Sequence, residues 1–551
     1  MASDTKKLTM QLDAVLHGAQ AMQLRYLPTR LKTVPLVSLL TTGVGLIAGF
    51  CVLYMVVTSI TAWYRLRHFP GPSSAGFSYI WLALMSISGK SYKTQMELNR
   101  KYGHLARVGP NELITDDPDL IKLMGSARSS WARSNWYNSG RVHPADDTIL
   151  NVVDTATHDK LRHSLIPGYS GRDNALEHDV DGQLVNLIRA IRRKYISTAT
   201  ECRPLDFVKL SQYFTVDTMT QISFGQPFGC LDADDDRNEL LETVERIVVW
   251  GEITANVPWM QTLLSYGLIF YTLAYPLARD VGAFNKLAER IVAERWNTKS
   301  KSQRHKDMLA SFMNHGFSQR MCELQVPVQL TAGTETTATA IRSTLLHLLT
   351  SPRAYAKLQN EIDQAIANGG LSTPISFREA KDLPYVSAVV YEGLRIHPPF
   401  SGQLMKEVPP EGITYTDGRF IPGGTYIGHN TWSAMRDKSI FGDDADMFRP
   451  ERFIEASPEA RANMRSTVDL VFGYGRWQCM GRPISMMELH KVFVELLRNF
   501  DIQIMYPHSP IKTFNVNLFL QSDMWVRVTE RTPGSSGPEV PSKGVEEQVS
   551  A

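Results

Sequence analysis

The sequence predicts a mainly α-helical protein with a minor β-sheet, preceded by one N-terminal transmembrane helix. A long stretch without a charged residue, from Thr33 to Tyr64, is typical of a membrane-spanning helix. The run from Leu105 to Thr115, around a Gly-Pro-Asn turn, indicates two short strands. Apolar residues recur with helical periodicity in five segments, 176–195, 279–298, 328–350, 383–396 and 484–499.

Composition favours one large domain with short additions. The 551 residues are 43% hydrophobic, which is enough to bury a large core. The net charge of +2 argues against a nucleic-acid-binding protein, which would show a basic patch or stripe. Five scattered cysteines without a C-x-x-C pair argue against a disulfide framework and fit a reducing compartment.

The uncharged stretch predicts a retained membrane anchor over residues 35–64, after a leader of residues 1–34. About 20 apolar residues span a bilayer as a helix, and Trp63 and Tyr64 lie where interfacial aromatic residues are expected. A cleaved signal peptide is disfavoured, because the stretch is too long and is followed by Arg65 rather than by small residues. Both flanks are basic, so the charges alone do not set the orientation.

Three further parts follow the anchor. Residues 65–72 contain Phe-Pro-Gly-Pro and predict a stiff basic hinge, because proline cannot continue a helix. Residues 73–530 form the predicted globular domain. Residues 531–551 are rich in Pro, Gly, Ser and charge, which predicts a disordered tail.

The stretch Phe472-Gly-Tyr-Gly-Arg-Trp-Gln-Cys479-Met-Gly481 predicts a metal-binding cysteine. Glycines on both sides of Cys479 allow the backbone to approach a flat ligand closely. Pro483 suits the first turn of a following helix, and a helix N-terminus stabilises a thiolate. Thiolate ligation of haem iron favours O–O cleavage, so Cys479 is the candidate metal ligand. Taken alone, such a loop is also compatible with an ordinary buried cysteine.

These residues resemble the signature of the cytochrome P-450 family, Phe-x-x-Gly-x-Arg-x-Cys-x-Gly. The matching positions are Phe472, Gly475, Cys479 and Gly481. In the family, the signature arginine usually pairs with a haem propionate. Here its position holds Trp477, and Arg476 lies one residue earlier. Arg476 is therefore the adjacent candidate for cofactor binding, and the propionate partner near Trp477 stays open.

The stretch Ala332-Gly-Thr-Glu-Thr-Thr337 resembles a second family motif, Ala/Gly-Gly-x-Asp/Glu-Thr-Thr/Ser. Glycine costs about 1 kcal/mol in a helix interior, and a local widening that admits a diatomic ligand would account for Gly333. Glu335 and Thr336 place an acid beside an alcohol, which suits proton delivery. They are the candidate catalytic residues, although an acid beside threonines is, in isolation, usually a solvated face.

A charged lock is predicted from Glu392 and Arg395, which share one helix face. The run Phe448-Arg-Pro-Glu-Arg-Phe453 resembles the family's meander motif, whose arginine completes a triad with such a pair. We assign Arg452, rather than Arg449, to this position and interpret the three residues as structural. An exposed ion pair is the plainer interpretation of the first two residues alone.

His158 and Arg162 stand one turn apart on a predicted helix. Similar proteins place a propionate-binding arginine near this point, usually with a tryptophan four residues before it. The resemblance therefore assigns Arg162 to cofactor binding, together with His158 in the tryptophan position. Either is otherwise an ordinary surface residue.

The resemblance covers residues 70–530 and implies an α-rich fold, one haem b and monooxygenase activity on a lipophilic small molecule. With an anchor and no flavin or dinucleotide region, the chain resembles the microsomal type. That type is a single-pass protein of the endoplasmic reticulum membrane, and its catalytic domain, here 73–530, is cytosolic. Its electrons come from NADPH through a separate reductase. Val108–Glu112 and Gly475–Cys479 look most like filamentous-fungal enzymes of secondary metabolism.

The resemblance also places a substrate pocket at residues 129–150, 328–335, 399–405 and 517–520. The last three are largely apolar and suit a bulky lipophilic substrate, such as a terpenoid, polyketide or alkaloid intermediate. Two other functions stay open. A haem-thiolate isomerase, dehydratase or peroxide-using enzyme needs no reductase and often lacks the acid–alcohol pair. A haem carrier or sensor would bind haem but consume no NADPH.

Overall fold

The computed structural model describes residues 36–141, 146–171, 175–257, 275–297 and 306–531. The predicted leader and the predicted tail beyond Arg531 lie outside these residues, as do residues 142–145 of the predicted pocket. The chain forms two compact units, one ending at Arg65 and the other beginning at Leu66.

The first unit contains one long apolar helix, α1 (Leu36–Arg65). A helix of 30 residues, rising about 1.5 Å per residue, is longer than the hydrocarbon core of a bilayer. The hydroxyls of Thr58 and Thr61 donate to carbonyl oxygens one turn earlier, so they need no water. Among the described residues, α1 is the one helix long and apolar enough to cross a membrane.

The second unit is mainly helical, as predicted. Its helices are α2 (Ile80–Ile87), α3 (Ser91–Tyr102), α4 (Pro118–Gly125), α5 (Thr155–Tyr169), α6 (Leu176–Lys194), α7 (Phe207–Phe224), α8 (Cys230–Ala233), α9 (Leu240–Ala255), α10 (Tyr275–Asn297), α11 (Met308–Asn314), α12 (Gln319–Leu349), α13 (Pro352–Ala367), α14 (Phe377–Asp382), α15 (Pro384–Ile396), α16 (Thr431–Ala434), α17 (Lys438–Phe441), α18 (Arg452–Glu455), α19 (Pro458–Val468) and α20 (Arg482–Asn499). Helices α6, α10, α12, α15 and α20 confirm the five segments of helical periodicity.

In the described residues, the minor sheet structure is divided among four small sheets. The strands are β1 (Leu105–Arg107), β2 (Glu112–Thr115), β3 (Ala132–Arg133), β4 (Leu205–Asp206), β5 (Lys406–Glu407), β6 (Ile413–Thr414), β7 (Phe420–Ile421), β8 (Tyr426–His429), β9 (Phe500–Ile504), β10 (Lys512–Val516), β11 (Leu518–Ser522) and β12 (Trp525–Glu530). One sheet has the order β1-β2-β8-β5-β3 and another β4-β12-β9, while β6–β7 and β10–β11 form hairpins. The predicted turn joins β1 to β2, with Leu105 opposite Thr115.

Helix α12 packs against α7, α10, α15 and α20 and is buried over most of its length. It begins at Gln319 instead of the predicted 328, because Ser318 caps it by accepting a hydrogen bond from the backbone N–H of Met321. Pro327 consequently lies inside the helix.

The proline-rich segment predicted as a hinge is packed onto the second unit. Leu66 and Phe69 are buried in the core, and the carbonyl oxygen of Pro70 accepts from the backbone N–H of Arg107 at 2.8 Å. A Cβ at Gly71 would lie 2.3 Å from the carbonyl oxygen of Arg107, so this approach requires glycine. The folded unit therefore begins at Leu66 rather than at 73, because apolar side chains among the prolines supply core contacts.

The described residues include Arg531, the first residue of the predicted tail. Arg531 is buried, and its guanidinium donates to the carboxylate of Asp363 at 2.9 Å. A charge that composition assigned to a solvated tail is thus held by an ion pair with α13.

Candidate active site

Cys479 lies in a tight loop between a 3-10 turn at Gly475–Trp477 and the start of α20. Its backbone N–H donates to the carbonyl oxygen of Phe472 at 2.7 Å, which closes the loop. Pro483 occupies the first turn of α20, where its missing N–H costs no hydrogen bond. The cysteine therefore directly precedes the free amides of a long helix.

Gly475 is required at its position for two independent reasons. Its φ of +55° lies in the left-handed region, which favours glycine. A Cβ there would also lie 2.3 Å from the carbonyl oxygen of Gly125 at the end of α4. At Gly481, by contrast, a Cβ would make ordinary contact with the Cys479 sulfur at 3.7 Å. The first glycine thus packs the loop against α4, and the second lies next to the sulfur.

The Cys479 side chain keeps an accessible surface, although protein groups surround it on its other sides. Burial raises the pKa of its thiol, while the backbone N–H groups of Gly481 and Arg482 and the charge of Arg162 act in the opposite direction. The Arg162 guanidinium donates to the carbonyl oxygen of Gln478 at 2.6 Å. The protein alone therefore favours the thiol, and a bound metal ion would favour the thiolate.

Helix α20 also carries a buried acid, Glu488, whose carboxylate oxygens have no hydrogen-bond partner among the described residues. Burial raises the pKa of Glu488 from 4.5 to about 8, so the folded protein keeps this proton at pH 7. The unfolded chain releases the proton at the lower value. The contribution of Glu488 to the free energy of unfolding therefore falls as the pH rises between these two values. At pH 7 this loss of stability is about 3 kcal/mol.

We expect Glu488→Gln to remove this loss of stability. In denaturant titrations from pH 5 to 8, the free energy of unfolding of the variant should increase relative to that of the wild type as the pH rises. The difference between the two should reach about 3 kcal/mol at pH 7. Glu495→Gln on the same helix is the matched control, because that carboxylate accepts hydrogen bonds from the N–H of Ile375 and from Arg498. A difference between Glu488→Gln and the wild type that does not change with pH would contradict a buried neutral acid.

The face of α12 that carries Thr336 is partly accessible, although its neighbours in the helix are buried. The Thr336 hydroxyl donates to the carbonyl oxygen of Ala332 at 2.8 Å. The next residue, Thr337, contacts α20 through a hydroxyl–hydroxyl distance of 3.1 Å to Ser485. This contact joins the threonine motif to the helix that begins just after Cys479.

Glu335 is buried and contacts a different part of the protein from Thr336. One carboxylate oxygen accepts from Arg342 of the same helix, and the other accepts from the side-chain amide of Gln212 on α7 at 2.8 Å. Successive residues of a helix are about 100° apart around its axis. The structure therefore leaves the alcohol on the accessible face and the carboxylate in the interior.

Gly333 lies where α12 meets α7. A Cβ at Gly333 would lie 2.7 Å from the side chain of Met219 on α7, and α12 continues through this position as one helix. The glycine therefore leaves room for the Met219 side chain, and the widening for a diatomic ligand stays a prediction.

Glu392, Arg395 and Arg452 form a buried triad, each at most 3% exposed. Arg395 donates to both carboxylate oxygens of Glu392 at 2.7 and 2.8 Å, and Nε of Arg452 lies 3.1 Å from the same two oxygens. Arg449 gives Glu392 only its backbone N–H, while its guanidinium pairs with more exposed carboxylates. Of the two arginines considered, the structure brings the side chain of Arg452 to the pair.

A second charged cluster surrounds Trp477, at the position of the signature arginine. The guanidinium carbon of Arg133 lies 4.9 Å from its ring centre, Nζ of Lys406 5.6 Å and the ring of His158 4.4 Å. All three side chains are buried. Burial and the charge of Arg133 lower the pKa of Lys406 well below its usual value and that of His158 to about 4. No carboxylate in the described part of the chain pairs with Arg133 or Lys406.

Comparisons with known proteins place the chain in a family. A family model described as Cytochrome P450 matches residues 70–523. The chain belongs to the cytochrome P450 family. Cytochrome P450 monooxygenase ABA1 of Pyricularia oryzae is 40% identical over 497 residues, which cover 88% of this chain and 96% of that protein. Cytochrome P450 monooxygenase aba1 of Botryotinia fuckeliana is 42% identical over 472 residues, covering 84% and 92%. The predicted family, fold and enzyme class, a cytochrome P450 monooxygenase, are confirmed.

The P450 family implies a haem, and the Trp477 cluster fits its two carboxylate groups. The indole N–H of Trp477 and Nε of Arg133 have no hydrogen-bond partner among the described residues. Buried cations and unpartnered donors are costly unless an acceptor or an anion compensates them. An acidic cofactor beside Cys479 would supply an anion for the buried cations and a hydrogen-bond acceptor for the unpartnered donors.

Arg133 and Lys406, which lie beside Trp477, were not indicated by the sequence motifs. They lie opposite each other on paired strands, because β3 and β5 are antiparallel with Arg133 in register with Lys406. A basic residue directly after an apolar one, Ala132 or Met405, is the one local signal each offers. Arg476 lies 5.9 Å from the Trp477 ring centre, but its guanidinium donates to the carbonyl oxygen of Ala127 at 2.7 Å and pairs with an aspartate.

Proposed function

We propose that this P450 is a haem-thiolate monooxygenase that hydroxylates or epoxidises a lipophilic small molecule, with Cys479 as the iron ligand. The observation that carries this proposal is the Cys479 loop, which presents an accessible sulfur at the start of α20, next to the helix of Thr336. A bound haem b would supply the oxygen chemistry. The polypeptide supplies the ligand, a proton path and the substrate pocket.

We assign the haem carboxylates to the cluster around Trp477. Arg133, Lys406 and Arg162 would supply the positive charge, and the indole N–H would donate a hydrogen bond. The other cofactor contacts proposed are His158, Phe472, Gly475 and Gly481. Arg476 is the weaker candidate, because its guanidinium already binds protein groups.

Thr336 and Glu335 are the residues we propose for proton delivery. The Thr336 hydroxyl lies on the accessible face of α12, and a hydroxyl passes a proton by donating and accepting at the same atom. Glu335 would act as the acid of the pair from its buried position.

Thr336→Ala is expected to divert oxygen reduction from water to peroxide, because the proton path loses its hydroxyl. In holoenzyme with reductase, NADPH and no added substrate, the ratio of water to peroxide should fall by at least about tenfold. Thr334→Ala is the matched control, since that hydroxyl also donates to a carbonyl oxygen of α12 but is buried. An unchanged ratio in Thr336→Ala would place the proton path elsewhere.

We infer a lipophilic substrate bound mainly by shape. A small gap of about 10 Å³ next to Thr334 and Glu335 is bounded by apolar side chains of α9 and β11, namely Leu241, Val244, Val248, Leu518 and Leu520. This volume holds about one water molecule, so the gap supports the proposal through its apolar lining and not through its size. Two of the four predicted pocket segments, 328–335 and 517–520, contribute to this cavity, and α9 adds a segment that was not predicted. Similarity to filamentous-fungal monooxygenases supports a substrate from secondary metabolism.

We propose that electrons come from NADPH through a separate membrane-bound NADPH–cytochrome reductase. We also propose that α1 anchors the enzyme in the endoplasmic reticulum membrane, with the catalytic domain cytosolic. The length and apolar character of α1 support the anchor. Protease digestion of intact microsomes tests the orientation, since protection of the catalytic domain would contradict it.

The first test of the proposal is the carbon monoxide difference spectrum of the reduced, full-length protein in membranes. A red-shifted Soret band, typical of thiolate-ligated haem, is expected. The spectrum of a histidine-ligated haem, or folded protein without haem, would refute the proposal. Turnover that needs no reductase would instead favour an isomerase, dehydratase or peroxide-using enzyme.

A further inference from the structure

Arg342 lies at the centre of a buried polar network that joins four elements, α12, β11, α7 and α9. Its Nη2 donates to Glu335, and its Nε donates to the side-chain oxygen of Gln521 on β11 at 2.5 Å. The same Nη2 lies 3.3 Å from the carbonyl oxygen of Phe519, also on β11. Arg342 and Glu335 are 0% and 4% exposed. The ion pair therefore connects α12 to the hairpin β10–β11.

The other side of the network reaches α7 and α9. The side-chain amide of Gln212 donates to Glu335 at 2.8 Å and lies 3.5 Å from a carboxylate oxygen of Glu245. Burial and the charge of Glu335 raise the pKa of Glu245. Arg342 is the cation that pairs with Glu335 in the described part of the chain.

We propose that Arg342 is the positioning residue for Glu335, which it fixes in the interior of the fold. The same guanidinium ties the pocket hairpin β10–β11 to α12, the helix that carries Thr336. The inference rests on the proposed function, in which Glu335 and Thr336 handle protons. It adds that the position of the acid and the position of the pocket wall, at Leu518 and Leu520, depend on one guanidinium.

The energetics of buried ion pairs make this proposal testable. Removal of one partner leaves a buried charge uncompensated, whereas removal of both partners is close to neutral. Arg342→Gln should therefore destabilise the protein and release Glu335 from the network. The double variant Glu335→Gln/Arg342→Gln should regain stability without regaining the proton function.

The experiment uses full-length holoenzyme with reductase and NADPH, without added substrate. Arg342→Gln, Arg342→Lys and the double variant are compared for haem content, thermal midpoint and the ratio of water to peroxide. Arg295→Gln is the matched control. Arg295 forms a largely buried ion pair with Asp307 at 2.8 Å, and this pair is not part of the Arg342 network. A purely structural role of Arg342 would lower the midpoint but leave the product ratio unchanged.

For Arg342→Gln we expect a lower midpoint and at least a threefold fall in the water-to-peroxide ratio. The ratio for Arg342→Lys should stay within twofold of the wild-type value, and Arg295→Gln should keep the wild-type ratio. The double variant should have a higher thermal midpoint than Arg342→Gln. A wild-type water-to-peroxide ratio in haem-loaded Arg342→Gln, or a double variant less stable than Arg342→Gln, would overturn this inference. Either result would leave the proposed function intact. If Arg342→Gln does not fold, a folded double variant supports the inference, because the uncompensated charge of Glu335 is then the cause of the loss, and failure of both variants to fold overturns it. A wild-type protein without the thiolate carbonyl band would overturn the proposed function and, with it, this inference.

Discussion

Cys479→Ser should abolish the red-shifted carbonyl band of the reduced protein and, with it, NADPH-dependent turnover. Serine fills nearly the same volume and can keep the backbone hydrogen bond to Phe472, so the loop should persist. The band is characteristic of thiolate ligation, and a serine hydroxyl does not replace the thiolate as an electron-donating ligand. The measurement is the carbon monoxide difference spectrum together with haem content per protein.

Two other cysteines provide matched controls for this experiment. Cys230 and Cys322 are fully buried, and burial raises the pKa of each thiol to about 12. Serine at either position should leave the carbonyl band in place, because neither residue lies in the loop before α20. A normal thiolate band in Cys479→Ser would remove Cys479 as the ligand and end the proposed mechanism.

The parts of the fold predicted well are those set by local sequence. Helical periodicity gave α6, α15 and α20 nearly to their ends, since one apolar face per helix faces the core. The start of α12 was placed too late, because its first turns are defined by the cap at Ser318 rather than by an apolar stripe. The segment before residue 73 was interpreted from its prolines, which concealed the core contacts of Leu66 and Phe69.

The parts of the site that the sequence left open depend on pairings between distant segments. Arg133 and Lys406 meet because β3 and β5 pair in one register, and no local motif encodes that pairing. The adjacency of Glu335 and Thr336 suggested a joint role, but the partners of Glu335 come from α7 and from Arg342, two turns along the helix. Burial of an unpaired acid, as at Glu488, likewise follows only from the packed structure.

Arg452→Leu should cause the second large effect, loss of haem from a destabilised protein. Glu392 accepts from both Arg395 and Arg452, and all three side chains are buried. Breaking a buried ion pair by removing one partner typically costs about 3–5 kcal/mol. Arg395 still pairs with both oxygens of Glu392 in this variant, so we expect a loss at the lower end of that range. Haem per protein and the denaturation midpoint are the quantities to measure.

Arg449→Leu is the matched control in the same segment, because its guanidinium pairs with partly exposed carboxylates that solvent screens. Its effect on stability should stay within about 1 kcal/mol. We expect the link between the triad and haem to be mechanical. Arg395 also donates to the carbonyl oxygens of Met435, Ala445 and Met447, and the chain then continues through α18 and α19 into the turn before Cys479. If Arg452→Leu kept a wild-type haem content, this connection would not set the position of the cysteine loop.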